Sequence, residues 1–305
     1  MADKKPRIRK APKHKSLRLT RQKISSAKPV TGSVVLFKQT WQVIRNNKKQ
    51  FFGISFISFV LLFVLVQGLS GSQAVVELKD NIKEILGENA NSMATTVSLF
   101  AYLIGSAGSS ASEAGAVYQM FIVVTVSLAV IWSVRQVQAG ERPRIRDGFY
   151  KGMYPLIPFI LILGVIGLQL VPLLLGNLIY STVVNNGLAG SSLEAVLWLL
   201  LFICLALLSA YMVISSIFGL YIVTLPDMTP MTALRSARNL VLHRRLKIGL
   251  RVLALPVMLL VLSAIILLPL ILVSAPVAGV IFLLLGSFAL VATHIYMYLL
   301  YKALL

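Results

Sequence analysis

Near the C-terminus, residues 252–301 read VLALPVMLLVLSAIILLPLILVSAPVAGVIFLLLGSFALVATHIYMYLLY. None of these fifty residues is Lys, Arg, Asp or Glu. A helix needs about 20 apolar residues to cross the hydrocarbon of a bilayer, so the stretch is far too long for one crossing. Ser274-Ala275-Pro276 lies near its middle and predicts a turn. The stretch therefore predicts two membrane-spanning helices, 252–273 and 278–301.

Four further uncharged stretches, 51–69, 116–134, 154–180 and 195–225, predict four further spans. A charged side chain at the bilayer centre costs at least about 2.5–3.5 kcal/mol, so long uncharged runs mark the membrane. The composition agrees, since 57% of the residues are hydrophobic and 13% are charged, against about 25% charged in soluble domains. With a mean hydropathy of +0.85, the sequence predicts an all-α polytopic membrane protein with six transmembrane helices. It excludes an ordinary soluble enzyme, a disordered protein and a disulfide-rich secreted domain.

The basic residues fall on one side of these spans. The chain has 29 Lys and Arg against 10 Asp and Glu, a formal net charge of +19. Six spans place both termini on the same side, and 27 of the basic residues then share that side, leaving only Lys79 and Lys83 on the other. Basic loops of membrane proteins face the cytoplasm. We therefore predict a multi-pass protein of the cell (plasma) membrane with both termini cytoplasmic.

The chain divides into a basic arm and a membrane domain. Residues 1–32 are rich in Lys, Arg, Pro and Ser, which predicts a disordered cytoplasmic arm, and residues 33–305 form the six-helix membrane domain. Residues 70–114, between the first two spans, are predicted to form an extracellular insert. The apolar run 93–107 within it is short and contains hydroxyl side chains, so we expect an interfacial or re-entrant helix packed against the bundle.

A weak repeat organises the basic side of the chain. Lys48-Lys49-Gln50-Phe51-Phe52-Gly53 opens the first span, and Arg244-Arg245-Leu246-Lys247-Ile248-Gly249 opens the fifth in the same pattern. An amphipathic stretch precedes each of them, with apolar residues spaced as on one helix face, and Glu141–Lys151 is a poorer third copy. The repeat predicts three units, each an amphipathic interfacial helix followed by a membrane hairpin. Such repeats occur in transporters and equally in proteins that duplicated a hairpin, so they indicate no activity.

Four arginines before and at the start of the fifth span are candidate contacts for anionic lipid: Arg235, Arg238, Arg244 and Arg245. Each basic residue near an anionic leaflet is worth about 1 kcal/mol. The positive-inside rule also requires basic residues here. Two interpretations therefore stay open, a topology signal and a site for a lipid headgroup or phosphate.

His294, in Thr293-His294-Ile295-Tyr296, is a candidate intramembrane polar site. An ionisable residue inside the membrane is a functional hypothesis by default. A neutral His that hydrogen-bonds across a helix interface has the same sequence pattern, and no intramembrane carboxylate accompanies His294 to complete a proton relay. Both interpretations stay open.

Motifs of catalysis are absent from the sequence, which has no His-Glu-x-x-His, P-loop, Gly-x-Ser-x-Gly or Cys-x-x-Cys. The single Cys204 lies within the fourth predicted span. An acidic helix face in the insert, which predicts a solvated surface or a divalent-cation site, comprises Glu77, Asp80, Glu84 and Glu88. We favour the solvated surface and expect no catalytic residue, cofactor or resident metal. Because no aromatic residue is interleaved in the basic arm, we expect no specific nucleic-acid binding.

The chain layout and the segment PMTALRSAR at 230–238 resemble the membrane domain attached to some glycerophosphoryl diester phosphodiesterases and its stand-alone bacterial relatives. In those relatives a Pro precedes an Ala-Leu-x-x-Ser helix, and a basic pair enters the next span. The residues that fit here are Pro230, Ala233, Leu234, Ser236, Arg244 and Arg245, with the Ser one position early. The resemblance covers roughly residues 33–301 and implies a six-helix membrane domain. It implies no phosphodiesterase activity, because the hydrolase domain has no counterpart here, and the family assigns no proven site residues to this part.

These features favour a non-enzymatic membrane protein that organises lipid or acts as a scaffold, with anionic lipid headgroups as its partners. The alternative is a permease or exporter of an uncharged or lipid-like substrate, with a site among proline-broken helices. A membrane enzyme is the least favoured, since it needs a nucleophile, base or metal set facing one cavity.

Overall fold

The computed structural model describes residues 32–67, 92–105, 113–186, 188, 190–242 and 244–305. The predicted basic arm up to residue 31 and the acidic face of the insert lie outside these residues. Within them the regular elements are helices. Their bounds are α1 Ser33–Asn46, α2 Lys48–Leu62 with a π-helical continuation Phe63–Gln67, α3 Ser92–Gly105, α4 Glu113–Gln138, α5 Ile145–Gly152, α6 Leu156–Asn185, α7 Ser192–Ser216, α8 Gly219–Ile222, α9 Pro230–Val241, α10 Arg245–Val273 and α11 Ala275–Leu304.

Six helical segments in these residues are long and apolar enough to cross a membrane. They are Lys48–Val66, Gly115–Gln138, Leu156–Val184, Ser192–Ile222, Arg245–Val273 and Val277–Leu304. Each overlaps one of the six predicted spans. The all-helical fold class and the number of spans are therefore confirmed, and the chain has the architecture of an integral, multi-pass membrane protein.

Two helix boundaries differ from the sequence prediction. The helix of the fifth span begins at Arg245 rather than at residue 252, because Arg, Lys and Leu all favour helix and a charge marks the edge of the hydrocarbon rather than the end of a helix. The predicted fourth span, 195–225, is interrupted by a turn at Ile217 and Phe218 between α7 and α8. The turn expected at Ser274 is confirmed, since this residue is extended between α10 and α11.

A short helix precedes each of the three hairpins, and each buries one face. The buried positions recur every four residues: Leu36, Thr40 and Ile44 in α1, Gly148 and Gly152 in α5, and Ala233, Ala237 and Val241 in α9. This spacing is that of one helix face. The unit of one short helix and one hairpin thus recurs three times, while the location of the short helices in the membrane interface stays a prediction.

The main apolar core joins α2, α4 and α11. Phe51 and Ile54 of α2 pack with Val126 and Val130 of α4 and with Ile295 of α11, and all five are almost fully buried. Burial of such side chains stabilises a fold by roughly 1.5–3 kcal/mol each relative to water, although lipid replaces water as the reference inside a membrane. The first and third hairpins are therefore packed into one body.

Helix α3 packs against the bundle without spanning it. Leu99 and Leu103 are buried against Leu267 and Ile271 of α10 and Ala278 of α11. With 14 residues, α3 is about 21 Å long at 1.5 Å per residue, shorter than the roughly 30 Å of hydrocarbon. The expected packing against the bundle is present, and the choice between an interfacial and a re-entrant helix stays open.

The hairpin of α6 and α7 is held together by polar contacts and close packing. Pro172 lies inside α6, and the backbone N–H of the next residue, Leu173, donates to Oγ of Ser209 in α7 at 3.0 Å. Side-chain hydroxyls commonly satisfy backbone groups near a membrane proline. A second bond joins Gln169 Nε2 to Ser216 Oγ at 2.8 Å. Elsewhere this hairpin exposes apolar side chains, as expected of helices that face lipid.

The ends of the first and third hairpins that carry basic residues meet at one end of the bundle, which we call the basic end. Gln50 Nε2 donates to Ser133 Oγ at 3.0 Å, and Lys302 Nζ donates to Gln138 Oε1 at 2.9 Å. The hydroxyl of Tyr296 donates to the Arg251 carbonyl at 3.0 Å. These contacts bring the start of α2, the end of α4, the start of α10 and the C-terminal part of α11 together.

Candidate functional site

His294 belongs to a buried polar cluster that joins three helices. Its Nδ1 atom lies 3.0 Å from the hydroxyl of Tyr221 in α8, and its Nε2 atom lies 2.8 Å from Oγ of Ser127 in α4. All three side chains are less than a tenth exposed. Ser127 Oγ also donates to the Val123 carbonyl one turn earlier, at 2.6 Å. The cluster therefore links α4, α8 and α11.

The hydrogen-bond pattern assigns the protons of this cluster. Because the Ser127 hydroxyl donates to the Val123 carbonyl, its oxygen accepts from an N–H at Nε2 of His294. The Nδ1 atom of His294 then carries the lone pair and accepts from the Tyr221 hydroxyl. In this arrangement the imidazole is neutral, and each polar group of the cluster has a hydrogen-bond partner. A buried polar network whose groups are all paired specifies a single helix packing.

The cluster differs from a nucleophile and its base in one respect. In such a pair the serine proton points to the imidazole, whereas here it is donated to a backbone carbonyl. The geometry matches a hydrogen bond across a helix interface. Sequence reasoning singled out His294 but missed Tyr221 and Ser127, since both lie in spans where a single hydroxyl carries no signal.

The four candidate arginines fall into two pairs. Arg235 and Arg238 are exposed on α9, on the side away from its buried residues. Arg244 directly precedes α10, and Arg245 is its first residue, with its guanidinium 4.2 Å from the ring centroid of Tyr211 in α7. A guanidinium at this distance over an aromatic ring is a favourable cation–π contact. Arg235 and Arg238 thus point away from the protein interior, and Arg245 is half-buried against the second hairpin.

A pocket of about 390 Å³ lies between the first and second hairpins at the basic end. Both Nη atoms of Arg135 in α4 donate to Thr224, Nη1 to the carbonyl oxygen at 2.7 Å and Nη2 to Oγ1. Lys151 Nζ lies 5.8 Å from the ring centroid of Trp132. All four residues line the pocket. No pattern in the sequence pairs Arg135 with Thr224 or Lys151 with Trp132.

Metal chemistry has no candidate ligand set in the part of the chain that the structure describes, where no group of three or more His, Cys, Asp or Glu residues is close enough to share an ion. Cys204 in α7 is exposed.

In comparisons with known proteins, no family model, no curated protein and no solved structure matches this chain. The resemblance to the phosphodiesterase-linked membrane domain therefore stays a prediction.

Proposed function

We propose that this chain is a non-enzymatic, multi-pass protein of the plasma membrane whose cytoplasmic basic surface binds anionic lipid and so organises or scaffolds the membrane around it. The observation that carries the proposal is the position of Arg235 and Arg238. They are exposed on a short helix whose opposite face is buried. That helix leads directly into α10, whose N-terminal part reaches the basic end through Arg251 and Tyr296.

Elementary electrostatics supports lipid as the partner of this surface. Each Lys or Arg close to an anionic leaflet contributes about 1 kcal/mol, and the contributions of Arg235, Arg238, Arg244 and Arg245 act on the same membrane. Exposed apolar neighbours support the same conclusion, since Leu246 is 86% exposed and Leu250 is 69% exposed. An amphipathic surface of this kind binds the headgroup region of a bilayer.

The proposed orientation places the basic end and both termini in the cytoplasm. The basic residues that meet there would face the anionic inner leaflet, as the positive-inside rule requires. In this orientation α1, α5 and α9 lie at the cytoplasmic interface, and each introduces one hairpin. The acidic Glu194 lies at the opposite end of the second hairpin, where its carboxylate accepts from the Gly190 backbone N–H. In this orientation Glu194 faces the outside of the cell.

Lipid analysis of the full-length protein tests the proposal. The protein is reconstituted into nanodiscs from a mixture of phosphatidylcholine and phosphatidylglycerol, and native mass spectrometry of the protein released from the nanodiscs counts the phosphatidylglycerol molecules that accompany it. We expect enrichment of phosphatidylglycerol that falls severalfold in the variant R235A/R238A/R244A/R245A and weakens with salt.

The matched control replaces the same four arginines by lysine. Attraction to a leaflet depends on charge, so R235K/R238K/R244K/R245K retains the enrichment. Unchanged enrichment in the alanine variant contradicts the proposal. The permease alternative predicts a different result, namely flux of an uncharged or lipid-like substrate across vesicles that contain the protein.

A further inference from the structure

We propose that the pocket of Arg135 and Lys151 is a binding site for one anionic phospholipid, with its phosphate between the two cations and its apolar part against α4. This proposal goes beyond the proposed function, which requires only a diffuse attraction at α9 and the start of α10. Its residues are separate from that surface.

The cationic half of the pocket is positioned by contacts within the protein. The guanidinium of Arg135 uses two of its five N–H donors on Thr224, which fixes the side chain and leaves donors for an anion. The ammonium group of Lys151, held 5.8 Å from the Trp132 ring, brings a second charge to the same pocket. A phosphate oxygen binds such a pair through charge-assisted hydrogen bonds, which are stronger than neutral ones.

Apart from Thr224 and the hydroxyl group of Tyr154, the remaining lining is apolar, which favours an amphiphile over a free anion. Leu128 and Trp132 line the pocket beside Arg135 on the same helix. Leu128 is buried, whereas Trp132, three residues before Arg135 and about 4.5 Å deeper along α4, is partly exposed. The pocket therefore runs from two cations into apolar surface, in the same order as the headgroup and acyl region of a lipid.

The rim of the pocket supports a lipid that arrives from the membrane. Tyr154, which lines it, is 92% exposed, and Ile157, two residues after the lining residue Pro155, is 72% exposed. Tyrosine side chains are enriched at the headgroup level of membranes. Uncovered aromatic and apolar side chains beside two cations fit a contact with lipid better than a contact with a water-soluble metabolite.

Direct binding measurements on the full-length protein in detergent test the site. The probes are phosphatidylglycerol, phosphatidylcholine with the same acyl chains, and inorganic phosphate, and native mass spectrometry gives the stoichiometry. We expect one tightly retained phosphatidylglycerol and weaker binding of phosphatidylcholine. Inorganic phosphate that binds as tightly as phosphatidylglycerol would overturn the assignment of an amphiphile.

Variants locate the site. R135Q/K151Q is expected to weaken phosphatidylglycerol binding at least about tenfold, since two charged hydrogen-bond donors are lost. R235Q/R238Q removes the same charge from α9 and keeps the tight site. K151Q alone leaves the contact of Arg135 with Thr224 intact, and an unchanged thermal unfolding midpoint shows that a loss of binding in this variant is not a folding defect. Unchanged binding in K151Q and R135Q/K151Q, or an equal loss in R235Q/R238Q, overturns the proposal without affecting the result expected for the four arginines.

Discussion

Nε2 of His294 lies 2.8 Å from Oγ of Ser127, a residue 167 positions earlier in the chain. The contact joins the last span to the second, and through Tyr221 the same imidazole reaches α8 at the end of the fourth span. One side chain of the third hairpin thus contacts both other hairpins. We infer that this buried hydrogen-bond network stabilises the packing of the bundle.

The first prediction compares two buried serines. Ser127 and Ser287 both donate to a carbonyl one turn earlier in their own helix, but only Ser127 also accepts from His294. S127A leaves the imidazole N–H unpaired and should lower the free energy of unfolding by about 1 kcal/mol more than S287A does. Denaturation of both variants in mixed detergent micelles measures the difference, and equal losses would show that the contact with His294 contributes nothing.

The number of spans was predictable because charged side chains are costly inside the membrane, so each span is visible in the sequence as a long uncharged stretch. Residues 252–301 lack charge over twice the length of one span, and the turn at Ser274 follows from Ser274-Ala275-Pro276. The apolar run at 93–107 is shorter than a membrane span, and this length likewise distinguished α3 from the six spans. Helix ends were less predictable, as α10 shows, because helix continues through Lys247 and Arg251 beyond the apolar segment.

The candidate site was predictable only in part. His294 stands out because an ionisable group inside a span is rare. Tyr221 and Ser127 do not, since uniform apolar surroundings hide which face of a span is buried and which partner it meets. The pairing of Arg135 with Thr224, and of Lys151 with Trp132, likewise depends on tertiary contacts that no local pattern records.

The second prediction concerns a close approach between α5 and α4. A methyl group added at Gly152 would lie 3.0 Å from the Leu128 carbonyl oxygen and 3.2 Å from Ala129 Cα. Both are backbone atoms, so G152A should destabilise the protein by about 1–3 kcal/mol. Gly164 in α6 has nothing within 4 Å of the same position, and G164A should be neutral or slightly stabilising. Thermal unfolding in detergent compares the two, and a tolerated G152A would contradict the tight packing of α5.

The third prediction tests the role of Ser209 beside Pro172. S209A leaves the Leu173 N–H without its acceptor and should cost about 1–2 kcal/mol. In a P172A background the helix can close its regular bond at this turn, so the same substitution should cost clearly less. A double-mutant cycle measures this coupling. Equal costs in the two backgrounds would show that the hydroxyl does not compensate for the proline.

Cysteine labelling is the first measurement to make, because it determines whether the basic end faces the cytoplasm. In a C204A background, single cysteines replace Tyr150 in α5, which is 83% exposed, and Leu188 in the connection between α6 and α7, which is 66% exposed. A membrane-impermeant maleimide is applied to right-side-out membrane vesicles before and after permeabilisation. We predict that the cysteine at 188 reacts in intact vesicles and that the cysteine at 150 reacts only after permeabilisation. Reaction of the cysteine at 150 in intact vesicles, with protection of the cysteine at 188, would show that the basic end faces the outside of the cell.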